Sequence, residues 1–150
     1  MLYCSNEQNS IFQIGLAKAE CDKLGLKYID FTVSSSNEIQ QVVQSAIGKV
    51  DALYSPTDNM IAAGMATVAQ VATPAKVPVI CGEEGMVNEG GLATYGLNYY
   101  ELGKQTAAMA VKILKGEAKP ADMPIEYLTT CDLCVNEETE KALGLSVPRN

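Results

Sequence analysis

"LYCSNEQNSIFQ" (residues 2–13) decides how this chain is read. Leu2, Tyr3 and Cys4 are strand-like, residues 5–10 are almost all polar, and an apolar pattern of helical period then begins. A short apolar strand, a polar loop and a helix start make half of a repeating strand–helix unit. The same unit returns at "VDALYSPTDN" (residues 50–59), where a third strand runs into a polar loop before the next helix.

Working outward, Ile11, Ile14, Ala17, Cys21 and Leu24 predict a helix over 10–24, ended by Gly25. "LKYIDFTV" (26–33) is β-branched and aromatic and reads as the second strand. Ile39, Val42, Val43, Ala46 and Ile47 trace the buried stripe of a second helix that Gly48 ends. The third strand is 50–55, followed by an almost wholly apolar helix over 60–72. "VPVIC" (77–81) is the fourth strand, "GEEGMVNEGG" a turn-rich connection, and "LATYGLN" (92–98) the fifth strand. A long helix over 99–114 ends at Gly116. Pro120 and Pro124 mark a crossing loop, and an extended stretch over 125–135 precedes a short helix over 136–143. Strands that alternate with helices imply an α/β chain of one domain: a doubly wound parallel sheet in three layers, order 2-1-3-4-5. Such sheets bind ligands beyond the carboxyl ends of their strands.

Composition narrows the chemistry. At 150 residues the chain can bury a real core, and 47% hydrophobic with 19% charged residues fits a globular domain. The net charge of −7, with no basic run, argues against nucleic acid as a partner. No apolar stretch nears the roughly 20 residues of a membrane span. Met1 is followed at once by strand-like residues rather than by a signal peptide, which suggests a cytoplasmic protein or a piece of something larger. Without histidine, the commonest general base and metal ligand is missing, so no metal or other cofactor is expected. The five cysteines are odd in number and most sit in apolar surroundings, as small hydrophobes do.

The informative residues follow strand ends. "SNEQNS", "SSSNE" and "PTDN" each lead into a helix N-terminus, where free N–H groups favour an anion such as a carboxylate. Capping is the plainer explanation for each one singly: Ser10 with Gln13 and Ser35 with Glu38 have capping-box spacing, and Asp58 or Asn59 suits an N-cap. Together they suggest a site. Asn9, Ser10 and backbone N–H groups would hold a carboxylate, and Asp58 the ammonium group of the same zwitterion. Glu83 and Glu84 lie on the same rim, as ammonium partners or as solvated loop residues. If Asp58 serves as a cap and a ligand partner, Asp58→Asn should leave stability almost unchanged.

Beyond these single features, the ordered segments "YCSNEQNS", "VSSSNEIQQVVQSAIGKVDALYSPTDN", "VPVICGEEGMVNEGGLATYGLNYYELGKQTA", "ILKGEAKPADMPIE" and "VNEETEKALGLSVP" resemble the substrate-binding proteins of ABC transporters of the TrpX type. The resemblance implies a flavodoxin-like lobe of a type I periplasmic binding-protein fold. It implies an exported parent, commonly a lipoprotein, whose two lobes close over a small ligand, reported as an aromatic amino acid for some members. An ABC permease would be the partner. The family's Asn-Ser pair is matched by Asn9 and Ser10, and its Pro-Thr-Asp-Asn by Pro56, Thr57, Asp58 and Asn59. Its acidic residue after the fourth strand is matched by Glu83 or Glu84. Cys4-Ser5 departs from the family's frequent Asn-Pro. The resemblance also places this chain as the C-terminal lobe alone, with 120–150 at the interlobe boundary. Tyr99 and Tyr100 would then face the missing lobe, and the uncovered surface would favour self-association.

Other readings fare worse. Cys4 before a loop and a helix has the layout of small cysteine phosphatases and arsenate reductases. That chemistry needs Arg where Ser10 stands, and Glu7 would repel the phosphate. A ligand-sensing regulatory domain shares the fold but needs a DNA-binding segment. A receiver domain needs clustered acids and a Lys near Asn98 and Tyr99. "CDLC" (131–134) lacks a second ligand pair for zinc and, in an extended segment, the geometry for a disulfide. Capture rather than catalysis is the expected function.

Overall fold

The structure is a computed structural model that describes residues 1–149. β1 (Leu2–Cys4) pairs in parallel with β2 (Phe31–Val33), Leu2 opposite Phe31. β3 (Leu53–Ser55), β4 (Val79–Cys81) and β5 (Ala93–Gly96) form a second parallel ladder. β6 (Asp132–Val135) closes its edge antiparallel to β5, Ala93 opposite Val135. β1 lies beside β3. The single all-parallel sheet expected from the sequence is thus resolved into two ladders, β1–β2 and β3–β4–β5–β6. The connection from β5 to the last strand runs through the helix Tyr99–Leu114 and then through the irregular 115–131 crossing, which is long enough to bring the chain back into the sheet in the opposite direction.

Burial alternates along the strands. Leu2, Cys4, Phe31, Val33, Leu53, Val79 and Cys81 enter one core with Ile39, Val43 and Ala46 of α2 (Ile39–Ala46). Each fully buried aliphatic side chain there contributes about 1.5–3 kcal/mol. The partners on the helical side are α3 (Asn59–Ala63), α4 (Met65–Ala72) and α5 (Glu84–Asn88), through Ile61, Met65, Val68, Met86 and Val87. The alternate strand residues Tyr3, Thr32, Tyr54 and Ile80 are only half-buried or exposed. α1 (Gln8–Leu24) buries only Ser10 and Ile14 completely, and α6 (Tyr99–Leu114) buries none of its residues completely. The core therefore sits on one face of the sheet, and the layer expected on the other face is thin.

Four further readings need correction. The second strand begins at Phe31 rather than at 26, because β1 offers register partners only for Phe31 to Val33. The helix expected over 60–72 breaks into α3 and α4 at Gly64, against which the Ile39 side chain of α2 packs: a Cβ there would lie 2.3 Å from Ile39 Cδ1, so that side-chain tip would have to move. "GEEGMVNEGG" is not merely a turn-rich connection. Glu83 accepts from Gly85 N and Met86 N, both at 2.7 Å, and this N-cap nucleates α5. Finally, Ser10 and Gln13 make no capping box: the N-cap is Glu7, and Ser10 is fully buried on the helix. α6 follows its sequence limits. Asn98 Oδ1 accepts from Tyr100 N and Glu101 N at its start, and Gly116, at φ 73°, permits the turn beyond its end. α7 (Glu137–Leu143) is capped likewise, by Asn136 on Thr139 N.

Candidate functional site

The loops after β1, β3 and β4 meet beyond the carboxyl ends of the strands, held together by side chains distant in sequence. Asp58 is 2% exposed. Its Oδ1 accepts from Ile61 N at 2.9 Å, capping α3, and its Oδ2 accepts from Cys4 N at 2.6 Å, tying the end of β1 to the β3 loop. Glu7 adds a second carboxylate to the start of α3, accepting from Asn59 N at 3.1 Å, Asn59 Nδ2 at 2.9 Å and Met60 N at 3.0 Å. Desolvation opposes its charge, but the donors from Asn59 and Met60 prevail and hold its pKa below the ordinary carboxylate value.

Thr57 is gripped from α1. Gln13 Oε1 accepts from Thr57 N at 3.1 Å, Gln13 Nε2 donates to Thr57 Oγ1, and Asn9 Nδ2 donates to Thr57 O at 2.8 Å. Close backbone approach allows the neighbouring loop in: a Cβ on Gly82 would lie 2.4 Å from both Pro56 C and Thr57 N.

An open cavity of about 350 Å³ results. Asn9, Thr57, Asp58, Asn59 and Glu83 line it, and Ala62 and Tyr99 complete the wall. The lining carries two carboxylates and no cationic side chain. Burial and the charge of Glu83 both raise the Tyr99 phenol pKa. The arrangement offers acidic oxygens to an ammonium group and amide donors from Asn9 and Asn59 to an acceptor.

Of the seven residues singled out in the sequence, five share this cavity. Ser10 and Glu84 are not among its lining residues. The Ser10 hydroxyl is buried without a hydrogen-bond partner. Glu84 is exposed in the first turn of α5, and its charge adds to burial in raising the Cys134 thiol pKa. Asp58 is not a simple cap, since its bond to Cys4 makes it a structural link. Sequence reasoning missed Glu7 and Gln13 as organisers and Tyr99 as a wall. Only the position of Tyr99, at a helix start just beyond a strand, carried a signal. Among the described residues, no group of three or more His, Cys, Asp or Glu could hold a metal ion.

A polar cavity beyond the carboxyl ends of parallel strands is the architecture of α/β ligand-binding domains. The family model for ABC transporter substrate-binding proteins matches residues 1–150, and the chain belongs to that family. It is 35% identical over 145 residues to a tyrosine-binding protein of Clostridioides difficile (strain R20291), a match covering 97% of this chain and 42% of that protein. Among solved structures it is similar to the "ABC domain" from Streptococcus pneumonia in complex with L-Trp, at 39% identity and TM-score 0.89. It is also similar to the ligand-free, open structure of a substrate-binding protein with adhesive properties from Clostridium difficile, at 43% identity and TM-score 0.77. Each structural match covers 99% of this chain and 50% of the other. The chain thus spans about half the length of these relatives.

Proposed function

We propose that this chain is the C-terminal lobe of a two-lobe solute-binding protein of the TrpX type. In this reading the lobe has the type I periplasmic fold, with strand order 2-1-3-4-5, and 120–150 lie at the interlobe boundary. The parent works outside the cytoplasm, exported or lipid-anchored, and delivers its ligand to an ABC permease. The ligand is a small amino acid, aromatic by analogy with the relatives named for tyrosine and bound to L-Trp. The role is capture without catalysis, by hinge closure of two lobes over the ligand.

The observation that carries this reading is the convergence of Asn9, Thr57, Asp58, Asn59 and Glu83 on one cavity. An α-amino acid has one ammonium and one carboxylate group. The oxygens of Asp58 and Glu83 keep lone pairs beyond their backbone bonds and suit the ammonium. Asn59 retains a second amide N–H beyond its bond to Glu7, which suits the carboxylate, and the Asn9 amide, bonded to Thr57 O and close enough to Glu7 to help lower its pKa, stands beside it. A thermal-shift screen of the twenty amino acids on the complete two-lobe protein tests the reading. Aromatic amino acids should raise the melting temperature in a concentration-dependent way. A flat response to all twenty would sink it.

A further inference from the structure

We infer that Tyr99 sets the side-chain class of the ligand, by offering its ring as the surface on which an aromatic side chain packs. The inference rests on the amino-acid reading above and adds a specificity-determining residue to it.

Of the residues that line the cavity, Asn9, Thr57, Asp58, Asn59 and Glu83 carry polar or charged side chains, and Ala62 and Tyr99 supply a methyl group and an aromatic ring. Ala62 is too small to anchor a large side chain, so an apolar group entering here has one broad surface to meet. The Tyr99 ring is half free, with 52% of the residue exposed. Its neighbour Tyr100 does not compete for this role: it is 75% exposed, does not line the cavity, and sits under Lys104 Nζ at 5.6 Å from the ring centroid.

The backbone that presents Tyr99 is fixed. Glu83 and Leu97 form a parallel bridge, which ties the approach to Tyr99 to the β4 loop. Asn98 caps α6 with its Oδ1 and donates from Nδ2 to Asp132 Oδ2 at 3.2 Å, anchoring the turn to β6. A ring on a fixed helix start is a preorganised wall and loses little freedom on binding. Offset or edge-to-face contact with an aromatic ligand adds to the area buried, whereas a methyl side chain gains little from it.

The experiment is calorimetric titration of L-tryptophan, L-tyrosine, L-leucine and L-alanine into the complete two-lobe protein, as wild type, Tyr99→Ala and Tyr99→Phe. Tyr99→Ala is expected to weaken the two aromatic ligands about tenfold and L-alanine less than about threefold. Tyr99→Phe keeps the ring and is expected to stay within about threefold of wild type for every ligand. Because Tyr99 is half-exposed, the variants should keep the wild-type melting temperature. Equal losses for all ligands would mean that the ring serves the ammonium group they share, and would overturn the inference, as would no loss or a wild type that prefers aliphatic ligands. A wild type that binds no amino acid would instead remove the functional reading beneath it.

Discussion

Asp58 Oδ2 accepts a hydrogen bond from the backbone N–H of Cys4 at 2.6 Å, across 54 residues of sequence. The bond joins the end of one ladder to the loop beyond the other, and Asp58 Oδ1 simultaneously caps α3. This changes what Asp58→Asn should do. An asparagine has one acceptor oxygen, so one of the two buried N–H groups would face an NH₂ donor. We expect a loss of about 1–3 kcal/mol in stability, not the near-neutral change that a cap alone would give. Urea unfolding of the variant measures it, and a midpoint equal to wild type would show that the Cys4 contact carries no weight. Since the same change also alters the cavity, affinity should be compared only under conditions where both proteins are folded.

Acid should weaken the fold through a small set of carboxylates. Glu7, Glu38 and Glu140 all have pKa values lowered from 4.5, and Glu140 is brought down to about 2 by Arg149 and by Val147 N–H. For a depressed carboxylate, the native state holds its proton less tightly than the unfolded chain does. Its stabilisation is therefore fully present above the unfolded value of about 4.5 and disappears as pH falls through the folded value. The urea midpoint should hold steady from these groups between pH 6 and 8, by that sign, and decline between about pH 5 and 2. Glu7→Gln should flatten part of that decline while leaving α3 with one charged acceptor fewer. If the wild type and Glu7→Gln show parallel acid limbs, the Glu7 bonds to Asn59 and Met60 do not contribute to folding.

These two cases show where the sequence was readable. α6 was legible because its signals are local: Gly116 follows it and its start was placed at Tyr99, although Asn98, read as the last residue of the fifth strand, is its cap. The α2 stripe was legible because burial of Ile39, Val43 and Ala46 follows helical spacing. The site was half legible. Polar residues after strand ends announced Asn9, Thr57, Asp58, Asn59 and Glu83, since position relative to the sheet follows from element order. What joins them was hidden, because Glu7 reaches Met60 over 53 residues and Gln13 reaches Thr57 over 44. No local pattern encodes such pairs. The break at Gly64 was equally invisible: an isolated glycine in an apolar run does not reveal that Ile39 presses against it.

Thiol reactivity should divide the cysteines by burial. Cys4 and Cys81 are buried, Cys21 and Cys134 are partly covered, and Cys131 is exposed. Burial, together with the charge of Glu83, pushes the Cys81 thiol up to about 12, so little thiolate forms at pH 8. With a limiting amount of a thiol reagent, native protein should be modified first at Cys131. Cys4 and Cys81 should react only after urea unfolding. Mass mapping of the labelled peptides decides this, and early labelling of Cys81 would contradict the packing of β4 against Gly91, where a Cβ would lie 2.3 Å from its sulfur.

The tight contact at Gly82 allows stability and binding to be disturbed together from a position that does not line the cavity. Gly82 follows β4, and an added Cβ would meet the backbone of Pro56 and Thr57 at 2.4 Å, with Pro56 O at 2.9 Å. Backbone atoms cannot swing aside as a flexible side-chain tip can, so Gly82→Ala must separate the β3 and β4 loops. Overpacking of this kind costs about 1–3 kcal/mol. The displaced Thr57 would also strain its three contacts with Asn9 and Gln13, widening the cavity between Asp58 and Glu83. Gly82→Ala should therefore lower the urea midpoint and weaken the proposed amino-acid binding by the complete protein, while Gly15→Ala, in the middle of α1 with open space around its Cβ, should leave binding unchanged and raise the midpoint, alanine being better than glycine in a helix by about 0.5–1 kcal/mol. If Gly82→Ala loses stability yet binds as wild type does, the spacing of these two loops does not define the ligand site.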